Sequence, residues 1–142
     1  MKSDQLDFII TLKAHQQRGS DDNVHTYKVF LDGIEQASNT IVESKFIDSF
    51  AVKFSAQLEP GEHNIRVYYR NNEYKGVLQI LNMYVAGPKG GLNLDSTLNQ
   101  EGYVSYGENR IEKNRTGIWH HGSYHFNFQS PFFYWMLYKF PI

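Results

Sequence analysis

The sequence contains no cysteine, which excludes disulfide bonds and thiolate metal sites. No apolar run is long enough to cross a bilayer as a helix, so we expect no membrane partner. Residues 1–4 are polar and lack the apolar stretch of a signal peptide. The 14 basic and 15 acidic residues nearly cancel, and without a basic surplus we expect no nucleic-acid partner. The length, 142 residues, predicts one domain over residues 1–142.

Aromatic residues are abundant, with ten Tyr, ten Phe and two Trp. Side chains alternate between two faces in several short segments, most clearly over residues 50–54 and 63–69. A period of two with β-branched and aromatic residues is typical of β-strands. Asp32-Gly33 predicts a hairpin turn, because both central positions of such a turn take positive φ. Pro60-Gly61 predicts a second tight turn.

The pattern predicts strands along most of the chain and no helix longer than a turn. The predicted strands cover residues 5–14, 25–31, 34–42, 46–57, 62–70, 76–86, 103–106 and 118–128. Residues 107–117 predict a charged loop, and the aromatic run 132–138 is interpreted as a final strand. Many short strands separated by turn signals favour a sandwich over a barrel. We therefore predict an all-β fold, an antiparallel β-sandwich of jelly-roll type with an aromatic C-terminal extension over residues 88–142.

Residues 8–87 carry an ordered set of turn and strand motifs. In chain order they are Phe8-Ile9-Ile10, the strand ending in Asp32-Gly33, the Phe-rich segment 50–54, Pro60-Gly61-Glu62-His63, Asn71-Asn72 and the segment 80–87. In this order the block resembles the calcium-dependent xylan-binding type of carbohydrate-binding module. The resemblance implies a jelly-roll sandwich and sugar binding. In that family the loop after the Asn supplies calcium ligands, whereas the matching region here contains Lys75 and Val77, whose side chains offer no oxygen.

Two groups of aromatic residues are candidate binding surfaces. A sugar-stacking platform is predicted from Tyr103, Tyr106, Trp119 and Tyr124, because flat rings suit the apolar faces of pyranoses. The alternative for these four is ordinary packing within a sheet. A partner interface is predicted from the consecutive residues Phe132, Phe133, Tyr134, Trp135, Met136 and Leu137, because one strand face can bury only alternate residues. The alternative there is a central strand covered on both faces.

Metal sites are predicted to be absent, with two alternatives kept. His120 precedes His121 and His125, which would point the same way on a strand and could bind zinc. Asp21 and Asp22 lie in a polar loop whose oxygens could hold calcium. The alternative for the histidines is that they are polar residues on the exposed side of a strand. The alternative for Asp21 and Asp22 is a solvated turn. No cofactor is predicted, and calcium stays an alternative.

The sequence carries no catalytic signature such as Gly-x-Ser-x-Gly, His-Glu-x-x-His or a phosphate-binding loop, so we predict that the protein is not an enzyme. The first functional hypothesis is a virion structural subunit, a capsid decoration or tail-associated protein such as a phage carries. It would dock onto capsid or tail proteins or form a homo-oligomer, and it would be located in the virion. The alternative is a carbohydrate-binding module that recognises a polysaccharide through an aromatic platform. It would be cytoplasmic, or extracellular without disulfides.

Overall fold

The computed structural model describes residues 3–16, 23–43, 49–71, 76–94, 101–107 and 110–139. These residues form two antiparallel sheets and one short helix, which confirms the predicted β-sandwich of jelly-roll type. The strands are β1 (Asp4–Gln16), β2 (Asn23–Leu31), β3 (Ile34–Glu43), β4 (Phe50–Leu58), β5 (Gly61–Asn71), β6 (Gly76–Gly87), β7 (Gly90–Asn93), β8 (Gly102–Tyr106), β9 (Arg110–Lys113), β10 (Gly117–Trp119) and β11 (His121–Ser130). The helix, α1, is Phe132–Lys139.

The two sheets differ in their number of strands. The five-stranded sheet has the order β10-β6-β1-β4, and β7 also pairs with β6. The six-stranded sheet has the order β3-β2-β5-β11-β8-β9. Strand β11 therefore lies between β5 and β8 in the middle of the larger sheet, although it comes from the C-terminal extension. Residues beyond the motif-bearing block 8–87 complete both sheets.

The core lies between the sheets and is built from alternate residues of each strand. Its fully buried members include Leu6, Phe8, Ile10 and Leu12 of β1 and Ile65, Val67 and Tyr69 of β5. Because successive side chains of a strand point to opposite faces, the intervening residues are turned towards solvent. The Phe8 ring also stacks on Phe54, with 5.0 Å between centroids.

The hairpin between β2 and β3 has the turn that the sequence predicts. Asp32 and Gly33 have φ values of 52° and 80°, so both central positions are left-handed. Asp32 is further fixed from β5, because its Oδ1 accepts a 2.8 Å hydrogen bond from the Asn64 backbone N–H. The hairpin end is thereby tied to the neighbouring strand.

The aromatic run at the end of the chain forms a helix, so the predicted final strand is wrong. The Phe132 N–H donates a 2.7 Å hydrogen bond to Asp4 Oδ2, which satisfies one of the free donors of the first turn. Phe132 and Met136, four residues apart, are buried on one side of the helix, while Tyr134, Leu137 and Tyr138 are exposed. The prediction failed because aromatic residues favour strands and eight residues are too few to display a helical period clearly.

Three smaller features also differ from the prediction. The short strand β7, Gly90–Asn93, forms where no strand was predicted. The segment 107–117, predicted as a loop, contains the edge strand β9. The predicted strand 118–128 is divided into β10 and β11, because His120 adopts φ 60° and ends the first of them. This division sends β10 and β11 into different sheets.

Candidate glycan-binding site

The site begins at the corner between the two sheets. His120 lies there in the left-handed conformation, and its backbone is held from both sides. Its N–H donates to the Gly76 carbonyl at 2.8 Å, and its carbonyl accepts from the Asn71 N–H at 2.8 Å. The corner is therefore fixed to the end of β5 and to the start of β6. Because Trp119 directly precedes His120, its backbone position is fixed as well.

Trp119 is the most prominent side chain at this corner. Its residue surface is 52% exposed, which is high for a tryptophan in a strand. Its backbone N–H donates a 2.9 Å hydrogen bond to the Tyr106 hydroxyl. Burial raises the pKa of Tyr106, so this hydroxyl keeps its proton and remains able to donate to a ligand.

Charged and polar side chains surround the Trp119 ring. Two adjoining pockets of about 250 and 370 Å³ share Trp119, Arg110 and His120 as lining residues. Arg110 makes two contacts at the corner. Its Cζ lies 5.1 Å from the centre of the Tyr106 ring, and its Nη2 is 3.0 Å from Glu112 Oε1. The corner combines an exposed ring with hydrogen-bonding groups, an arrangement that suits a ligand with an apolar face and a polar rim.

The four residues of the predicted platform do not share one surface. Tyr106 and Trp119 come together at the corner. Tyr103 lies on the outer face of the six-stranded sheet, where its ring stacks on His125 with 4.7 Å between centroids. Tyr124 is a correction to the prediction, because it is 0% exposed and its register position points into the core. Burial raises the pKa of Tyr124 far above its usual value.

The two strand histidines point the same way, but they make contacts within the sheet. His125 Nε2 lies 3.0 Å from Ser105 Oγ, and burial together with the nearby Arg66 charge lowers its pKa. His121 packs edge-on against Tyr68, with 5.6 Å between ring centroids. Among the described residues there is no group of three or more His, Asp or Glu that could hold a metal ion. Asp21 and Asp22 lie outside the described residues.

Of the two positions at which the sequence departs from the calcium-binding pattern, the structure describes Val77 alone. Val77 is described and its apolar side chain offers no oxygen ligand. Lys75 lies outside the described residues.

A second pocket, missed by the sequence analysis, lies where α1 meets the six-stranded sheet. It has a volume of about 410 Å³ and is lined by side chains that include Trp135, Asn64 and Asn127. Asn64 Nδ2 donates a 2.6 Å hydrogen bond to Asn127 Oδ1. These residues lie on three separate elements, so no local sequence signal joins them.

His63 forms one end of this second pocket. Its Nδ1 is 2.6 Å from Asp32 Oδ2, and its Nε2 is 2.7 Å from the Glu59 carbonyl oxygen. Burial by itself lowers the pKa of His63, but the hydrogen bonds to Asp32 and Glu59 outweigh it, so the net pKa is raised. The protonated ring can donate to both acceptors at once.

The predicted partner interface is divided by the helix. Phe132 and Met136 are buried within their own chain, which corrects the prediction for these two residues. Trp135 and Phe133 are partly buried and pack against the core. Tyr134 and Leu137 are 76% and 58% exposed and line an apolar groove of about 590 Å³ beside the β6–β7 turn. The exposed part of the predicted interface is therefore one helix face, not a strand.

Comparison with known proteins gives one structural likeness. No family model matches the chain. No curated protein matches it either. One solved structure, a carbohydrate-binding module described as "vCBM60 in complex with galactobiose", has a TM-score of 0.45 and 11% sequence identity, covering 87% of this chain and 97% of that chain. The described residues also include no helix with the length and apolarity needed to traverse a bilayer.

Proposed function

We propose that the protein is a non-enzymatic carbohydrate-binding module that holds a glycan against Trp119. The observation that carries this proposal is a half-exposed indole on a backbone corner fixed by two 2.8 Å hydrogen bonds. Because the backbone that carries the indole is already fixed, ordering this corner adds little to the entropic cost of binding a sugar ring.

The groups around Trp119 supply what a sugar needs besides a flat ring. Arg110 and the Tyr106 hydroxyl offer donors, and Glu112 offers an acceptor, all within the two adjoining pockets or at their edge. A pyranose presents an apolar face and a rim of hydroxyls, so stacking and hydrogen bonding would act together. Trp119 would supply the stacking surface, and the polar groups would orient the sugar.

The test is a binding screen followed by a single substitution. Affinity electrophoresis or a glycan array with xylan, galactan and other plant and microbial polysaccharides identifies a ligand, and calorimetry gives its Kd. We expect Trp119→Ala to weaken binding by about 2 kcal/mol, or roughly thirtyfold in Kd, as for a buried aromatic anchor.

Tyr138→Ala is the matched control, because Tyr138 is an exposed ring on α1 that does not line either pocket at the corner. It should leave the Kd unchanged within twofold. If Trp119→Ala binds the selected glycan as tightly as the unmodified protein, the Trp119 platform is refuted. If no glycan in a broad screen binds, the function is refuted as well.

A second candidate function is protein docking through the outer face of α1. Tyr134, Leu137 and Tyr138 are exposed together there, next to the apolar groove beside the β6–β7 turn. Exposed apolar patches of this kind occur at protein interfaces. A virion structural role would use such a surface, and it stays a prediction. Leu137→Asp should dissociate any oligomer seen by light scattering, and a monomer at high concentration would argue against self-association.

A further inference from the structure

The outer face of the six-stranded sheet carries a cluster of basic and aromatic residues. The strand registers align Phe30, Arg66, His125, Tyr103 and Lys113 in one row across β2, β5, β11, β8 and β9. Lys28 and Tyr68 are partners in the next row, and Arg70 and His121 are partners in the row beyond. We call this surface the basic face. It is defined by Lys28, Arg66, Arg70 and Lys113 and the rings between them.

Aromatic rings pack against the charged side chains of the basic face and against each other. The Arg66 guanidinium lies over its cross-strand neighbour Phe30, with Cζ 4.5 Å from the ring centre. On the other side of Arg66, His125 stacks on Tyr103 at an interplanar angle of 10°. A guanidinium held over a ring keeps its N–H groups pointing outward and loses less freedom when it binds an anion.

The positive charge of this face is largely uncompensated. In the described ranges, no carboxylate lies within ion-pairing distance of Arg66, Arg70 or Lys113, whereas Lys28 Nζ is 3.8 Å from Glu35 at the sheet edge. Four of the 14 basic residues define this face, in a chain whose formal net charge is −1. The Arg66 charge also helps to lower the pKa of His125, after burial, as expected where positive groups crowd together.

The spacing of the cations restricts the kind of polyanion that fits. Arg66 and Arg70 are four residues apart on β5, or roughly 13 Å along the strand. Arg66 and Lys113 are separated by three strand spacings, or roughly 14 Å. Nucleic-acid phosphates repeat about every 3.4 Å along a strand, which is much denser than this array. Widely spaced cations with rings between them suit a chain of sugars in which whole pyranose rings separate the acidic groups.

We propose that the basic face binds an acidic polysaccharide. Carboxylates of the glycan would pair with Arg66 and Arg70, and its pyranose rings would pack on Tyr68 and Tyr103. The face meets the Trp119 platform at His121, which lines one of the corner pockets. Its cations lie on other strands, however, so this binding does not need Trp119 and stands apart from the proposed function.

The test compares two probes that differ only in charge. Oligogalacturonides with free carboxylates and the same oligomers after methyl esterification are titrated into the full-length protein by calorimetry. We expect the free acid to bind at least tenfold more tightly, and its affinity to fall as salt rises from about 0.1 M to 1 M, since the Debye length shortens from about 10 to 3 Å. Equal binding of both probes, or no binding of the free acid, would overturn the proposal.

Substitutions then assign the binding to the face. The double variant Arg66→Gln, Arg70→Gln should weaken oligogalacturonide binding at least tenfold, while Arg66→Lys retains most of it. Lys53→Gln with Lys89→Gln removes two exposed cations elsewhere, from β4 and the β6–β7 turn, and should change the Kd less than twofold. An equal loss in both double variants would overturn the proposal, because it would indicate a general charge effect.

Two further measurements distinguish acidic-polysaccharide binding on the basic face from glycan binding at Trp119 and from nucleic-acid binding. Trp119→Ala should leave oligogalacturonide binding intact. Arg66→Gln with Arg70→Gln should leave any Trp119-dependent neutral glycan bound, so either proposal can be refuted without the other.

Poly-uridylate is the competing polyanion. If it binds the basic face more tightly than the oligogalacturonides do, the face is a nucleic-acid site and the polysaccharide proposal is wrong. Circular dichroism and the thermal midpoint of each variant show that loss of binding is not loss of the fold.

Discussion

Removal of the Phe132 ring tests whether α1 is an integral part of the core. Phe132 is 0% exposed, and its ring lies 5.8 Å from Phe128, 5.3 Å from Phe133 and 6.0 Å from Trp135. Truncation of a buried phenylalanine to alanine costs about 3–5 kcal/mol, because transfer energy is lost and a cavity remains. Domains are typically stable by only about 5–15 kcal/mol, so Phe132→Ala should leave a folded but weakened protein.

Urea unfolding followed by circular dichroism measures this loss. With a typical m-value of about 2 kcal/mol/M, the midpoint should fall by about 2 M. Leu137→Ala is the matched control on the exposed side of the same helix, and it should change the stability by less than about 0.5 kcal/mol. If Phe132→Ala costs less than 1 kcal/mol, or if both variants cost the same, the helix is not packed as described.

Two further predictions concern the ends of the strands. The raised pKa of His63 means that its contribution to stability is fully present below its unfolded pKa of about 6.5 and is lost as pH rises through the higher folded value. The thermal midpoint should therefore fall over that interval, and Asp32→Asn should flatten the fall. Gly122→Ala should destabilise the protein by about 1–3 kcal/mol in urea unfolding, because the new Cβ would lie 2.8 Å from the Ser105 carbonyl oxygen. An unchanged midpoint in this variant would mean that β8 and β11 are farther apart.

The sandwich could be predicted because its signals are local. The alternation in β4 and β5 repeats every two residues and requires no knowledge of distant partners. The Asp32-Gly33 turn could be predicted for the same reason, since φ values of 52° and 80° suit this pair of residue types. The edge strand β9 was missed, because short charged strands at a sheet edge resemble loops.

The candidate site could be predicted only in part. Trp119 and Tyr106 were selected for their type, and the fold brings them together through a backbone hydrogen bond. Tyr124 was selected by the same criterion, but only the register of β11 reveals that it points inward. The basic face could not be predicted, because Arg66 and Lys113 are far apart in sequence and become neighbours only through strand order.

The most direct test of glycan binding at the corner is the indole N–H region of a ¹⁵N-correlated NMR spectrum. The chain has two tryptophans, so two indole signals are expected, and Trp119→Phe identifies one of them. When the neutral glycan selected by the binding screen is titrated in, the Trp119 signal should shift in a saturable way while the Trp135 signal stays in place. Movement of the Trp135 signal alone, or of neither signal while binding is seen by calorimetry, would contradict the Trp119 platform.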